Sequence, residues 1–271
     1  MSPVEKNRHE LIAGKARHMS GWYRGRKLNG PTQSVSFLHT LVSPDECYLK
    51  RMDWIRVENQ ESVGSCVYNA VSSAMEYILH KQTGADLQLS RLYGYGRGRQ
   101  LDGIPLTEDS GSCNATAMAV LTSYGLPEEH LWPYSDDAWT VEPPVGLDID
   151  ASRHKLGLWY LCPNLRTIQA AIDQDFPVTL GFECFESIMD KTNLLIGSIP
   201  FTPKEKSVGG HEVMVCGYNR NLDALLVAQS WGTNIGVRPP GGTSKGFFWL
   251  SADYVRKGYS DQVSVRTIVR G

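Results

Sequence analysis

QESVGSCVYNA, residues 60–70, sets a single cysteine behind two small residues and at the head of an apolar pattern. Val67, Val71, Ala74, Met75 and Ile78 follow Cys66 at the spacing of one helical face. The pattern predicts a helix that begins at Cys66 and stops near Gln82-Thr83-Gly84, where the glycine can end it. At such a start the unpaired N–H groups and the helix dipole favour an anion, so a thiol there is placed to ionise. Free cysteine is also among the most buried residue types, and a packed thiol is the competing reading. The choice depends on whether the chain supplies a base, an orienting group and an oxyanion donor.

All three are available. Gln60, six residues before Cys66, offers a side-chain amide for a developing oxyanion. In VGGHEVMVCGY, residues 208–218, His211 heads a strand-like run behind two glycines that keep bulk from its ring. Of the other histidines, His9 and His18 lie in a basic arm, and His39, His80, His130 and His154 have no comparable approach. Eighteen residues after His211, VAQSWGTNIG (227–236) adds Gln229, able to orient an imidazole, and Trp231, able to shield it from water.

The remaining signals describe an α+β chain. Helices fit 115–123, closed by Tyr124-Gly125, and 165–173, ahead of Pro177. Residues 133–150, rich in Pro, Asp and Gly, form the best crossing between two halves. Short β-rich runs follow: VTLGFECF, HEVMVCGYN, ALLVAQSW, GFFWL and QVSVRTIV. A helical first half and a β second half place a cleft where they meet. Residues 1–50 are irregular and read as an arm wrapped on the main body. Its first 27 residues carry seven Lys/Arg against Glu5 and Glu10.

Composition narrows the function classes. The 271 residues are 41% hydrophobic and 21% charged, with a formal net charge of -2. That balance gives no reason to expect a nucleic-acid or membrane partner. No apolar run reaches the roughly 18 residues of a membrane span, and the N-terminus lacks a secretory pattern. The six cysteines stand singly, without a CxxC pair. Neither a metal site nor a disulfide framework is expected, and the compartment should be reducing, hence cytoplasmic or, for a phage protein, virion-associated. No cofactor is called for, and the sequence does not specify an oligomeric state.

From about Asp53 to Val255 the chain resembles papain-type cysteine peptidases, most of all their bacterial, archaeal and phage members. MDWIRVENQESVGSCVYNA is similar to the block around that family's nucleophile. LSRLYGYGR with DSGSCNATAMAVLTSYGLPEEHLWPY resembles the second block. GGHEVMVCGYN, QSWGTNIG and GFFWLSADYV resemble the histidine, amide and C-terminal strand blocks, in order, and 145 positions separate Cys66 from His211. The resemblance implies a two-lobe papain-like fold, with a helical lobe over about 51–145 and an antiparallel β lobe over about 146–271. Residues 1–50 would then be an arm or a reduced prosegment.

The resemblance also implies roles. Cys66 would be the nucleophile, His211 its base, Gln229 the orienting amide, and Gln60 with the Cys66 N–H the oxyanion hole. Trp231 would cover the histidine, and Gly111 and Ser112 would pair with an extended peptide or protein substrate. Glu212 stands where a small residue is common, beside the pocket for the second residue before the cut, and would favour basic or polar side chains there. Three further departures stand out. Gln229 replaces an asparagine, Ile235 replaces a second tryptophan, and Val63 with Asp109 replaces the two ends of a common disulfide. The competing readings are a silent peptide-binding protein and an amidase or acyl transferase acting on a non-peptide amide.

Overall fold

The computed structural model describes residues 21–34 and 43–269. Helix α1 spans Cys66–Thr83 and ends at Gly84, whose φ of 73° turns the chain left-handed and whose N–H caps the His80 carbonyl at 2.7 Å. Its apolar periodicity understates its burial. Asn69, Ser72 and Glu76 are buried as well as the apolar positions, because α1 runs through the middle of the molecule.

Helix α2, Arg91–Leu101, has no apolar period and three glycines, and it is absent from the sequence prediction. The glycines exist for packing. A Cβ at Gly94 would fall 2.4 Å from the Tyr68 ring, and one at Gly98 would fall 2.2 Å from its hydroxyl oxygen. Each missing methyl lets α2 close on α1, which outweighs the low helix propensity of glycine. Helix α3 is Asn114–Ser123, and α4 is the short Leu147–Ala151 within the predicted crossing. Helix α5, Leu165–Asp173, matches its prediction and opens on a capping box between Asn164 and Thr167. Helices α6 (Lys191–Ile196) and α7 (Asp253–Arg256) complete the set.

Eight strands of the described residues form one sheet: β1 Glu46–Tyr48, β2 Lys155–Leu161, β3 Val178–Phe185, β4 Ser198–Ile199, β5 Ser207–Asn219, β6 Ala224–Ala228, β7 Phe247–Ser251 and β8 Ser260–Val269. Their order is β2-β8-β3-β5-β6-β7-β4, with β1 added on β5. Among the strands of the described residues only the β4–β7 pair is parallel. Strand β3 lies between β5 and β8 and is buried along nearly its whole length. Helix α1 packs across β5 and β8, so the head of the helix meets the strand that carries His211.

The described part of the arm wraps the body at three places. Pro31 and Gln33 bond to both sides of Leu161 on β2, β1 pairs with β5, and residues 21–24 cross the end of α1. His9, His18 and His39 lie outside the described residues.

A charged cluster is buried beneath the head of α1. Arg91 lies between Glu58, at 2.5 Å, and Glu129, at 2.8 Å. Nearby, burial lifts the Glu76 carboxyl from its ordinary 4.5 to about 8, with Glu58 adding repulsion against the Leu89 N–H and two arginines. A raised carboxyl means that the folded state holds its proton more tightly than the unfolded one. The stability it confers is therefore complete below about pH 4.5 and is lost as pH rises toward 8. Glu76→Gln keeps the acceptor for Leu89 N–H and removes the titration. The Tm of the variant relative to wild type should climb between pH 5 and pH 9, and a constant difference would contradict this account.

Candidate active site

The loop before Cys66 is held against the loop that carries Gln229. Gln60 N–H donates to the Ser230 carbonyl at 2.8 Å, and Gly232 N–H donates to the Glu58 carbonyl at 2.9 Å. Ser230 Oγ donates to Gln60 Oε1 at 2.6 Å, while Gln60 Nε2 donates one proton to the Val63 carbonyl at 2.9 Å. Tyr134 clamps the same loop from outside, its hydroxyl donating to the Gln60 carbonyl at 2.8 Å. The Gln60 amide is thus fixed on both of its ends, as an oxyanion donor has to be.

Val63 and Asp109 replace a disulfide in the resemblance, and the structure supplies a different tie. Both Asp109 oxygens accept the Gly64 N–H at 3.0 Å, and Tyr95 donates its hydroxyl to the same carboxylate. Val63 is fully buried beside them. All six cysteines are free.

His211 and Gln229 meet. Gln229 follows β6 by one residue, one step past the Met214–Ala228 pair, and so lies diagonal to His211 on β5. His211 Nε2 donates to Gln229 Oε1 at 2.6 Å. This leaves Nδ1 as the acceptor, and Nδ1 has no hydrogen-bond partner. Trp231 stacks on the imidazole with ring centres 4.6 Å apart, and Phe182 meets it edge-on at 6.1 Å. The extra methylene of a glutamine therefore does not prevent the bond an asparagine would make. If His211 acts as a base, Gln229→Ala should lower kcat by about 10- to 100-fold, because the ring loses its tautomer and its orientation. Gln229→Asn should recover most of that only if the shorter side chain still reaches Nε2, which the pH profile of kcat would report.

Cys66 lies at the first turn of α1 with its thiol against the N–H groups of Glu212 and Val67. Those donors favour a thiolate, yet burial dominates and pushes the thiol well above its ordinary range, helped by the charge of Glu212. Burial likewise presses His211 down to about 4, against the pull of Gln229. With both groups dry, the thiol and the imidazole are each neutral.

The arm lies over Cys66. Gly21 sits so close to the thiol that a Cβ there would lie 2.7 Å from Cys66 Sγ. Ser112 N–H donates to the Gly21 carbonyl at 2.9 Å, and Tyr23 N–H donates to the Ser112 carbonyl at 3.1 Å. Trp22 N–H donates to the Gly210 carbonyl at 3.3 Å. Trp22 and Ser112 thus form a parallel bridge across the cleft. Gly111, with φ at 74°, turns the chain and gives its N–H to the Tyr95 hydroxyl, so Ser112 carries the pairing. The glycine before His211 serves the arm rather than the imidazole, since a Cβ at Gly210 would fall 2.4 Å from Trp22.

Sequence reasoning missed Trp22, Ser230, Tyr134 and Asp261, which lies beside Glu212 and Asn114. Ser230, adjacent to Gln229, and Tyr134, the last residue of the second block, carried local signals; Trp22 and Asp261 stand outside the motifs. Among the described residues no group of three or more His, Cys, Asp or Glu is placed to hold a metal. No described helix is long and apolar enough to cross a membrane.

The arrangement has counterparts among solved structures. Xylellain, a cysteine protease from Xylella fastidiosa, superposes with a TM-score of 0.80 over 93% of this chain and 97% of its own, at 23% identity. The fold is papain-like. Procathepsin B S9 from Trypanosoma congolense shares that papain-like fold with a TM-score of 0.72, 14% identity and coverage of 99% and 98%. In sequence, an uncharacterised peptidase C1-like protein of Acanthamoeba polyphaga mimivirus is 29% identical over 209 residues, 73% of this chain. The match spans 64% of that relative's length. No family model matches the sequence.

Proposed function

We propose that this protein is a cysteine peptidase whose catalytic unit, residues 51–271, is closed by its own N-terminal arm. The observation that carries the reading is the His211 imidazole, bonded through Nε2 to Gln229 at 2.6 Å with Nδ1 left without a partner. That tautomer presents a base on the ring nitrogen away from Gln229. The similarity to papain-like proteases and the braced Gln60 amide support the same assignment.

With water and substrate admitted, Nδ1 takes the Cys66 proton and the thiolate attacks the peptide carbonyl carbon. The carbonyl oxygen becomes an oxyanion received by the free Gln60 Nε2 proton and the Cys66 N–H. Collapse breaks the C–N bond, and His211 gives its proton to the departing amine. Water, deprotonated by His211, then attacks the thioester and releases the acid and the thiol. Trp231 keeps bulk water from the His211–Gln229 bond.

The arm passes Cys66 at Gly21 and places Trp22 beyond it, beside Gly181 and Gly210. In a substrate the residue in that position precedes the one over the nucleophile, as the resemblance implies; in the arm it follows. The arm therefore occupies the cleft with reversed polarity and offers no scissile carbonyl in register. Peptides or proteins are the substrates. The six free cysteines support a reducing, cytoplasmic setting.

The test uses the full chain and its Trp22→Ala variant. Both are incubated with an epoxide inhibitor of papain-type enzymes and, separately, with unfolded casein. An adduct on Cys66 with casein cleavage in the variant is the expected result. Absence of both at pH 6–8 in folded variant protein would sink the assignment.

A further inference from the structure

A cavity of about 360 Å³ opens where the start of α5, the turn between β5 and β6, and the end of α7 meet. Its polar lining is Arg166, Gln169, Asn219, Arg220, Asp223 and Arg256. Asn219 is the last residue of β5 and follows His211 by eight positions, which at the rise of a strand is about 26 Å. A ligand held here would touch neither Cys66 nor the cleft.

Half of this lining is already matched. Arg256 donates from Nη1 to Asp223 at 2.7 Å and to Asp253 at 3.0 Å, and from Nη2 to Asp223 as well. Asn219 donates Nδ2 to Glu46 at 2.9 Å and accepts the Leu222 N–H at 2.9 Å. The carboxylates of Asp223 and Glu46 are thus engaged.

Three groups remain unmatched. Among the described residues the Arg166 guanidinium has no hydrogen bond and no ion pair. The Arg220 guanidinium lies over the Tyr218 ring at 5.6 Å and donates to the Ser43 carbonyl at 3.1 Å, and no carboxylate of the described residues pairs with it. Gln169 is 7% exposed, and its side-chain amide has no partner among the described residues, which leaves it facing the cavity it lines. An amide so buried is costly without a hydrogen bond. Arg166 and Gln169 stand three residues apart on α5 and share a face. The Asn164–Thr167 capping box fixes the start of that helix, so its positive end at Leu165 and Arg166 borders the same space.

We propose that this cavity binds a small organic phosphate, whose phosphoryl oxygens accept hydrogen bonds from Arg166, Arg220 and the Gln169 amide. Two guanidiniums without counter-ions call for a dianion, and a phosphomonoester carries a charge of about −1.5 to −2 at neutral pH. A carboxylate would balance one of them. The guanidinium fork matches phosphoryl oxygens and makes charge-assisted bonds to them. The volume lies in the range of small-molecule sites and leaves room for an organic body beside the phosphoryl group. Nothing in the site depends on peptidase activity.

Calorimetry on the full chain at pH 7 tests this with glycerol 3-phosphate, inorganic phosphate, glycerate and glycerol. One molecule of glycerol 3-phosphate should bind per chain, more tightly than inorganic phosphate or glycerate, and glycerol should give no signal. Arg166→Ala and Gln169→Leu should each weaken glycerol 3-phosphate by at least about tenfold, the loss of one hydrogen bond to a charged group. Arg153→Ala removes an exposed cation from another part of the surface and should change nothing. Arg166 is exposed and unpaired, so its variant keeps the fold, and it carries the test alone if Gln169→Leu does not fold. Absence of saturable glycerol 3-phosphate binding with a Kd below about 10 mM would overturn the site. Equal weakening by Arg166→Ala and Arg153→Ala would also overturn it, as general charge attraction. Glycerate or inorganic phosphate binding as tightly as glycerol 3-phosphate would reject an organic phosphate as the ligand.

Discussion

Trp22→Ala should raise the rate at which iodoacetamide alkylates Cys66 by about 100-fold at pH 7. The indole is buried in the recess over Gly181, and its chain neighbour Gly21 covers Cys66. Truncating a buried tryptophan to alanine costs about 3–5 kcal/mol where the site cannot collapse. A large part of that falls on the docked arm, since the open form has no such contacts. A shift of about 2.7 kcal/mol multiplies the open population by about 100.

Two effects then act together. Alkylation needs the thiol exposed, and it needs the thiolate. With the arm docked, burial holds the thiol far above its ordinary range and His211 down at about 4. With the arm away, water reaches both groups, the thiol falls and the imidazole rises, and the ion pair becomes accessible near neutrality. The wild-type rate should therefore climb steeply with pH, while the variant is already reactive at pH 7. A variant rate within twofold of wild type would show that the arm does not control access to Cys66.

How much of this was legible in the sequence follows from where each signal resides. Helix α1, helix α5 and strand β3 were readable because each carries its own pattern within 8 to 18 residues. Cys66, His211, Gln60 and Gln229 were readable because each sits in a short block whose spacing survives without the fold. Helix α2 was not, since Gly94, Gly96 and Gly98 erase its apolar period and find their reason only in Tyr68 on another helix. The recess was half legible. The resemblance places Glu212 beside a pocket, but its neighbours Asp261 and Trp22 come from the far end of the chain and from the arm. Gly209-Gly210 was read as clearance for the imidazole, and Gly210 proves to make room for Trp22. A residue that serves a distant segment leaves no periodic trace in its own.

On the proposed peptidase reading, Gln60→Ala in the opened protein should lower kcat by about 100- to 1,000-fold with a smaller effect on KM. A donor aimed at an oxyanion acts on charge that exists only after attack, so its loss appears in the chemical step. The amide is prepared for this. Ser230 holds Oε1 at 2.6 Å and the Val63 carbonyl holds one Nε2 proton at 2.9 Å, which leaves the second proton with a fixed direction. A merely structural role for Gln60 would predict something different, since the loop is also tied by the Gln60 N–H to Ser230, by Tyr134 and by the Gly64–Asp109 bond. Those bonds use backbone atoms that the substitution retains. The loop should thus keep its place in Gln60→Ala, and Cys66 alkylation, which needs no oxyanion, should remain within a few-fold of the parent. Gln60→Glu preserves size and the acceptor for Ser230 while removing the donor, and it should be at least as impaired in kcat as the alanine variant. A kcat for Gln60→Glu close to that of the parent would exclude the side chain from the oxyanion hole, and equal losses in alkylation and hydrolysis would assign it to holding the loop.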